Sequence, residues 1–339
     1  MSSRPEQLPP HAALSQMIMS GCLTHSICVA AELGVADALN DGPRTAPELA
    51  RAVGANPDAL YRILRALAAT GIFRETQDGR FEHSGLSKCL RSHVAGSMRA
   101  WARMVGASWN RRVMSEMLHS ARTGDSVVER ALGTPLWEYF AQHKEHADIF
   151  NDSMTSFSST EIDAVMGSYD FSGIQKLVDI GGGLGSLLAT ILKAYPQMQG
   201  ILSDAPSVID SARREIEKYG LDGRCELVGI DFFESVPAGG DAYMMKHIIH
   251  DWDDEHSLRI LKTCHAAMQS GARLLVIDSV IAPGNEPSVG KTLDLFMLLI
   301  GGRERTEAEF RTLFERAGFE LTRIVPTPSP VAVVEGRKK

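Results

Sequence analysis

The sequence predicts an α/β protein in which a mostly helical N-terminal domain precedes a doubly wound parallel sheet. From Lys176 onward, short apolar runs alternate with helical segments, as parallel strands joined by crossover helices do. Upstream, helix-start and helix-stop signals prevail and strand runs are few. A length of 339 residues allows about two domains. We therefore expect an N-terminal domain over residues 1–105, a helical connector over 106–170 and the sheet domain over 171–339.

The N-terminal segment has a winged-helix outline. Thr45 is followed three residues later by Glu48, which predicts a capping box at the start of a helix. Asn56 predicts the cap of a second helix. Two short alternating runs then meet at Asp78 and Gly79, a dipeptide that favours a tight hairpin turn. Helix, helix and hairpin in this order predict the winged helix.

Two functions fit such an outline. Arg62 and Arg65 on the second helix could read DNA, or the module could serve packing and dimerisation. The helix lacks a basic patch and the chain carries a net charge of −7, so we favour dimerisation and expect no nucleic-acid partner. Apolar residues between positions 13 and 40 are too numerous for one core stripe, which predicts a homodimer.

Composition sets the broad class of the protein. Hydrophobic residues make up 44% and charged residues 23%, as in ordinary globular proteins. We expect no signal peptide in the first residues and expect every apolar stretch to be shorter than a membrane span, which predicts a cytoplasmic protein with no membrane partner. The five cysteines form no Cys-x-x-Cys pair, so we expect free thiols.

The segment LVDIGGGLGSL, residues 177–187, reads as a strand, a glycine-rich turn and a helix, where parallel sheets bind nucleotides. Counting from Gly181 and Gly183, Ser186 stands where a dinucleotide fingerprint has Gly or Ala. Asp179 precedes the glycines. This acid-x-Gly-x-Gly arrangement is typical of enzymes that use S-adenosylmethionine (SAM), so we expect SAM as the cofactor.

Acids at the ends of the next two strands suit the rest of that cofactor. Asp204 ends the second strand and can accept hydrogen bonds from both ribose hydroxyls, although it could also cap the following helix. Asp231 and Phe232 end the third strand, where a carboxylate and an aromatic face can hold an adenine.

The fourth strand, DAYMMKH, continues into IIHDWDDEH and places Lys246 and His250 at or just beyond its C-terminal end. Methyl transfer from a sulfonium requires an in-line nucleophile, and a base eases attack by a phenol that titrates near pH 10. Histidine suits that task. A metal site is the alternative, built from His247, His250, Asp251 and Asp254. Because these residues straddle a strand end, we expect no metal.

Two further acids are predicted to lie at the same edge of the sheet as His250. Asp278 ends the fifth strand and Glu304 lies in the loop GGRERT, and a carboxylate beside a histidine orients its ring. On spacing alone, Glu304 could equally be a solvated charge. Asp294 stands in the apolar stretch LDLFMLLI and requires a partner or a cavity. We assign Asp294 and Met297 to the acceptor pocket.

Five motifs in order, VDIGGGLG, SDAPSVI, DFFESVP, KHIIHDWDDE and GGRERTEAEF, resemble the SAM-dependent O-methyltransferases. That family includes plant caffeic acid and flavonoid O-methyltransferases, hydroxyindole O-methyltransferases and bacterial antibiotic-tailoring enzymes. The resemblance covers essentially the whole chain. It departs from the plant enzymes at Asp278, where they have glutamate, and in a shorter segment from Asp294 to Gly301.

The resemblance implies a role for each candidate residue. His250 removes the hydroxyl proton, flanked by Asp278 and Glu304, without a metal. Met154 lies near the acceptor pocket, and the winged-helix domain dimerises. The residues implied to contact the cofactor are Gly181, Asp204, Asp231, Phe232 and Lys246, to which the turn adds Gly183.

The predicted activity is methyl transfer from SAM to a hydroxyl of a small aromatic metabolite. Three other functions stay open on the sequence: a SAM-binding offshoot that hydroxylates or decarboxylates a similar substrate, a SAM-sensing winged-helix regulator, and a nicotinamide-dependent reductase.

Overall fold

A computed structural model describes residues 8–339, and the chain divides into two compact units. Unit 1 comprises the residues up to Arg112 together with Trp137–Phe157, and unit 2 comprises Val113–Leu136 together with Ser158–Lys339. The predicted connector over 106–170 is therefore shared between the two units.

The N-terminal domain follows the predicted outline. Thr45 forms the capping box with Glu48, and Asn56 Oδ1 accepts a hydrogen bond from Ala59 N at 3.0 Å. The predicted hairpin turns at Gly79, whose φ is +73°. A short strand, β1, pairs with the second strand of this hairpin and gives a three-stranded sheet in the order β1-β3-β2. The sequence analysis missed this strand. The elements are α1 (Pro10–Leu33), α2 (Val35–Ala38), β1 (Arg44–Thr45), α3 (Ala46–Val53), α4 (Pro57–Ala69), β2 (Phe73–Glu75), β3 (Arg80–His83), α5 (Gly85–Lys88) and α6 (Arg99–Gly106).

Helix α1 corrects one expectation. Its most apolar 18-residue stretch has a mean hydropathy of 1.3, so by length and composition alone this helix could cross a membrane. Isolated polar residues such as Ser20 and Thr24 interrupt the apolar runs, but the mean hydropathy of the stretch remains as high as that of a possible membrane span. One such helix near the N-terminus is weak evidence for a membrane span.

The segment that follows is helical, as predicted. Val127 N donates to the carbonyl of Leu299, which ties this segment to the sheet domain within unit 2. The helices are α7 (Ser108–Ser115), α8 (Met117–Thr123), α9 (Val128–Leu132), α10 (Leu136–Gln142) and α11 (Lys144–Ser168).

Unit 2 contains a seven-stranded sheet in the order β11-β12-β8-β7-β4-β5-β6. The strands of unit 2 are β4 (Lys176–Ile180), β5 (Gln199–Asp204), β6 (Cys225–Gly229), β7 (Ala242–Lys246), β8 (Arg273–Asp278), β9 (Val280–Ile281), β10 (Arg305–Thr306), β11 (Phe319–Pro326) and β12 (Ala332–Lys338). Strands β9 and β10 form a separate parallel pair. The sheet is parallel except for β12, which runs antiparallel to both β8 and β11. The predicted doubly wound parallel sheet is confirmed, and β12 is an antiparallel addition that the sequence analysis did not anticipate: it follows β11 through a short turn that leaves no room for a crossover helix.

Helices cover both faces of the sheet. Along β4, Leu177 packs into the core on one face and Val178 into the core on the other, so the strand is buried on both faces. Strand order reverses between β4 and β7, and parallel sheets bind ligands beyond the strand ends at such a point. The helices of this part are α12 (Ser186–Ala194), α13 (Pro206–Lys218), a 3₁₀ turn (Ile249–Asp251), α14 (Asp254–Ala267), α15 (Val289–Ile300) and α16 (Glu307–Arg316).

Candidate active site

The glycine-rich turn joins β4 to α12 beside the crevice. Gly181 and Gly183 have φ values of +66° and +60°, which favour glycine. A Cβ on Gly181 would lie 2.4 Å from Ile248 Cδ1, and one on Gly182 would lie 2.5 Å from Asp179 Oδ2. The turn therefore has room only for backbone at these two positions. Helix α12 begins without a side-chain cap, which leaves amide groups at its N-terminus for a ligand.

Asp204 fixes this turn from the neighbouring strand. Its Oδ2 accepts a hydrogen bond from Gly183 N at 2.8 Å, and its Oδ1 accepts one from Ala205 N at 2.7 Å. The cap position of α13 is Ala205, so the alternative that Asp204 caps this helix was wrong. Each carboxylate oxygen can accept a second hydrogen bond, and Asp204 thus retains capacity for a polar ligand.

Asp231 and Phe232 lie just beyond the third strand. Strand β6 ends at Gly229, two residues earlier than predicted, and the pair occupies the turn that follows. Asp231 Oδ1 accepts a hydrogen bond from Phe233 N at 2.9 Å. The half-buried ring of Phe232 lies 3.8 Å from the position of a Cβ on Gly181, so the aromatic side chain and the glycine turn are neighbours.

Asp179 is buried beneath the same turn. Burial and then the charge of Asp204 raise the pKa of Asp179 to about 7, against a smaller lowering by Lys246. A carboxyl with such a pKa changes charge near neutral pH, so its state responds to charge placed in the crevice.

His250 lies in the 3₁₀ turn after β7 and is 8% exposed. Its Nδ1 is 2.8 Å from Glu304 Oε1. Because a carboxylate can only accept, we assign the ring proton to Nδ1. The other nitrogen, Nε2, lies 3.4 Å from Asp251 Oδ1 and carries the lone pair of the neutral ring.

Two backbone features bring Glu304 to His250. Strand β9 follows Asp278 directly and pairs with β10, which begins one residue after Glu304. The loop before β10 also approaches the 3₁₀ turn closely, since a Cβ on Gly302 would lie 2.2 Å from the carbonyl oxygen of His250. That carbonyl accepts a hydrogen bond from Arg303 N at 2.8 Å.

Asp278 is fully buried next to the histidines. Its Oδ1 accepts a hydrogen bond from His247 N at 3.0 Å, while Asp278 Oδ2 and Glu304 Oε2 have no hydrogen-bond partner among the described residues. Burial raises the pKa of Asp278 to about 7; His250 opposes this rise and Glu304 adds to it. Burial alone would lower the pKa of His250, but Asp278, Glu304 and Asp251 together raise it to about 9.

The interpretation of Glu304 as a solvated charge was wrong, because the residue is 3% exposed and contacts His250. Asp294 has the partner that its apolar setting requires: its Oδ1 accepts a hydrogen bond from Glu304 N at 2.8 Å. Met297 is buried, and its carbonyl accepts hydrogen bonds from the amides that follow α15. Met154 is 38% exposed in α11, and its role stays a prediction.

The sequence analysis missed the partner of Lys246. Lys246 Nζ lies 3.0 Å from Glu161 Oε2, and His247 Nε2 lies 2.8 Å from the same oxygen. Glu161 comes from α11, where it shares a face with the buried residues Ala164 and Val165. The sequence offered one signal for this contact, which was an acid on the buried face of an amphipathic helix.

Candidate metal-ligating atoms of His247, His250 and Asp278 lie within 4.8 Å of one another. The two imidazole rings stack, with centroids 4.7 Å apart and planes 26° apart. Of their ring nitrogens, His247 Nε2 and His250 Nδ1 already contact the carboxylates of Glu161 and Glu304. Asp254 from the predicted metal set pairs with Arg305 at 2.8 Å.

Comparison with known proteins identifies two domains. An O-methyltransferase domain matches residues 113–320 and an O-methyltransferase dimerisation domain matches residues 16–93. A phenazine O-methyltransferase of Lysobacter antibioticus is 41% identical, with 99% of this chain and 98% of that protein covered.

Solved structures agree. The mitomycin 7-O-methyltransferase structure is 40% identical, with a TM-score of 0.88 and coverage of 97% of this chain and 98% of that one. An O-methyltransferase from neocarzinostatin biosynthesis, in complex with S-adenosyl-L-homocysteine and 1,4-dihydroxy-2-naphthoic acid, is 33% identical, with a TM-score of 0.79 and coverage of 93% and 96%. The chain therefore belongs to the O-methyltransferase family and is a SAM-dependent O-methyltransferase with an N-terminal dimerisation domain.

Proposed function

We propose that this enzyme methylates a hydroxyl of a small aromatic metabolite, with His250 as the general base and without a metal ion. The contact between His250 Nδ1 and Glu304 Oε1 at 2.8 Å carries the proposal. It holds the ring so that Nε2 is the nitrogen available for a proton. The carboxylate contacts of His247 Nε2 and His250 Nδ1 support a reaction without a metal.

The residues around the glycine turn fit SAM. A Cβ on Gly183 would meet nothing within 4 Å, so the turn leaves room there for a close ligand, and Asp204 retains acceptor capacity for two ribose hydroxyls. Asp231 and Phe232 suit an adenine through a hydrogen bond and a ring face, and Lys246 adds a cationic contact. Bound SAM supplies a methyl group on a positively charged sulfur that is already an activated leaving group.

His250 would accept the hydroxyl proton on Nε2, which would leave the phenol oxygen as the nucleophile for the methyl group that SAM supplies. A phenol titrates near pH 10, so the pKa of about 9 for His250 makes proton transfer nearly balanced. Glu304 and Asp278 stabilise the imidazolium that forms. Because only the neutral ring accepts a proton, we expect kcat/KM to rise with pH towards 9.

The similar proteins support an aromatic acceptor, since one is a phenazine O-methyltransferase and another was solved with a dihydroxynaphthoic acid. We assign Asp294 and Met297 to the acceptor pocket. We further propose that the enzyme is a cytoplasmic homodimer that forms through its dimerisation domain.

Transfer of labelled methyl from SAM to a panel of phenols and one aryl amine tests this function. We expect labelled methyl ether in the wild type, a loss of about 10²- to 10⁴-fold in His250→Ala, and normal rates in His256→Ala, whose histidine is exposed. A decarboxylated or hydroxylated product without methyl would favour the offshoot. Calorimetric binding of NADH in place of SAM would favour a reductase, and salt-dependent binding to promoter DNA a regulator.

A further inference from the structure

Glu161 is a buried carboxylate for which the reaction above has no role. It is 4% exposed, and one of its oxygens contacts both Lys246 Nζ, at 3.0 Å, and His247 Nε2, at 2.8 Å. A buried charge requires such partners. One carboxylate thus holds two consecutive residues at the end of β7, three positions before the proposed base.

His247 is unusually constrained. Its φ is +57°, a conformation that residues other than glycine adopt rarely and only where their surroundings hold them. Its amide donates to Asp278 Oδ1 at 3.0 Å, and its ring stacks on His250 with centroids 4.7 Å apart. The ring is therefore held from the backbone side by Asp278 and at its tip by Glu161.

The charges define which ring nitrogen of His247 carries the proton. Burial raises the pKa of Glu161, but His247 and Lys246 outweigh burial and lower it to about 2, so Glu161 accepts hydrogen bonds as a carboxylate. Burial and Lys246 lower the pKa of His247 to about 4, so the ring is neutral at pH 7. Its proton lies on Nε2, facing Glu161, and the bare Nδ1 lies 3.7 Å from Asp278 Oδ1.

We propose that Glu161 is a positioning residue for His250: it fixes the proton of the neutral His247 ring on Nε2 and holds that ring flat against the base, while burial and Lys246 keep the ring neutral. The proposal rests on the proposed function of His250. A flat neutral neighbour limits rotation of the His250 ring. A protonated His247 would instead repel the imidazolium that forms during the reaction and weaken the base.

The pH dependence involves every charged group that faces the two rings. His247 faces Lys246, Glu161, Asp278 and His250. His250 faces Asp251, Asp278, Glu304 and His247. Removal of the Glu161 carboxylate takes away the only acid that contacts Lys246 among the described residues, so the positive charge of Lys246, which already lowers the pKa of His247, acts on the stacked pair of rings with less compensation.

The test compares Glu161→Gln with Asp163→Asn, an exposed acid two residues away on the same helix. In Glu161→Gln the amide can donate to His247 Nε2 as well as accept, so the proton of His247 is no longer confined to one nitrogen. We expect kcat to fall about tenfold with little change in the KM for the phenol, and the pH at which kcat/KM levels off to fall by about half a unit. Asp163→Asn should behave as the wild type.

A second variant tests whether Glu161 affects the reaction through its contact with His247. Phenylalanine at position 247 keeps a flat ring but cannot contact Glu161, so Glu161→Gln introduced into His247→Phe should change kcat by less than about twofold. The same fold-loss in both backgrounds would mean that Glu161 acts through Lys246 alone and would overturn the proposal. A Glu161→Gln enzyme with the kcat and pH profile of Asp163→Asn would overturn it too.

Thermal unfolding of each variant checks that it folds. If Glu161→Gln does not fold, His247→Phe and His247→Ala still test the stacking: we expect the alanine variant to lose about tenfold more kcat than phenylalanine, and equal losses would overturn the proposal. Full activity of His250→Ala would instead contradict the proposed function itself. Failure of the proposal for Glu161 can therefore be distinguished from failure of the proposal for His250.

Discussion

At the residue scale, burial and neighbouring carboxyls act on His250 in opposite directions. Desolvation favours the neutral ring, whereas Asp278, Glu304 and Asp251 favour the imidazolium and prevail, with a pKa of about 9. The same carboxyls that orient the ring therefore determine the pH range in which it can act as a base.

Replacement of Glu304 by glutamine separates orientation from charge. Glutamine can still accept from Nδ1 but has no charge, so the pKa of His250 should fall by about one unit and kcat/KM should level off at a correspondingly lower pH. Initial rates between pH 6 and pH 10 measure this shift. Glu307→Gln, an exposed neighbour, is the control, and an unshifted profile would mean that Glu304 does not set the pKa.

Glu161 should also affect stability. Its pKa is lowered from 4.5 to about 2 in the folded state, so its stabilising effect is complete above pH 4.5 and disappears as the pH falls towards 2. Glu161→Gln should lower the free energy of unfolding by about 3 kcal/mol at pH 7. Urea unfolding at pH 7, 4 and 3 should show the difference between the two proteins shrinking with acid; a constant difference would contradict the assigned pKa.

At the scale of elements, the loop between α15 and β10 brings together residues that are distant in sequence. It places Glu304 beside His250, and the pairing of β9 with β10 holds that loop next to Asp278. The contact depends on Gly302, since any side chain there would meet the carbonyl oxygen of His250 at 2.2 Å.

Gly302→Ala should therefore impair the site. Backbone atoms cannot move aside as a flexible side chain can, so we expect a loss of about 1–3 kcal/mol in the free energy of unfolding and a clear drop in kcat. Gly223→Ala, where a Cβ meets nothing within 4 Å, should change stability by less than about 0.5 kcal/mol. Equal effects of the two variants in thermal unfolding would contradict the close approach.

The sequence predicted structural features that depend on neighbouring residues, but it did not predict contacts between residues that are distant in the chain. The caps at Thr45 and Asn56 depend on residues within one turn, so their patterns predicted them. Strand ends placed His250 and Asp278 correctly because parallel strands finish at one edge of a sheet. The two-residue strands β9 and β10 carry no periodic pattern, and the contact between Glu161 and Lys246 joins residues 85 positions apart.

At the scale of the whole molecule, helix α1 exposes large apolar side chains. Met17 and Ile18 are each 71% exposed and Met19 is 59% exposed, within the residues matched by the dimerisation domain. Exposed apolar surface of this extent favours burial against a second copy of the chain.

Ile18→Glu should weaken the dimer, because a buried charge at an apolar interface is costly. We expect a concentration-dependent shift towards monomer in sedimentation velocity, with Arg62→Glu on α4 as the exposed control. Unchanged sedimentation of Ile18→Glu would exclude this face from the interface. Flotation of the wild type with lipid vesicles would instead favour membrane contact by α1.

The dependence of His250→Ala on the acidity of the phenol tests the central claim most directly. If His250 removes the proton, its loss should reduce kcat/KM most for a phenol with a pKa of about 10 and progressively less as the pKa falls to about 7, where the hydroxyl ionises unaided. A loss of the same size across that series would mean that His250 contributes to binding or packing and is not the base.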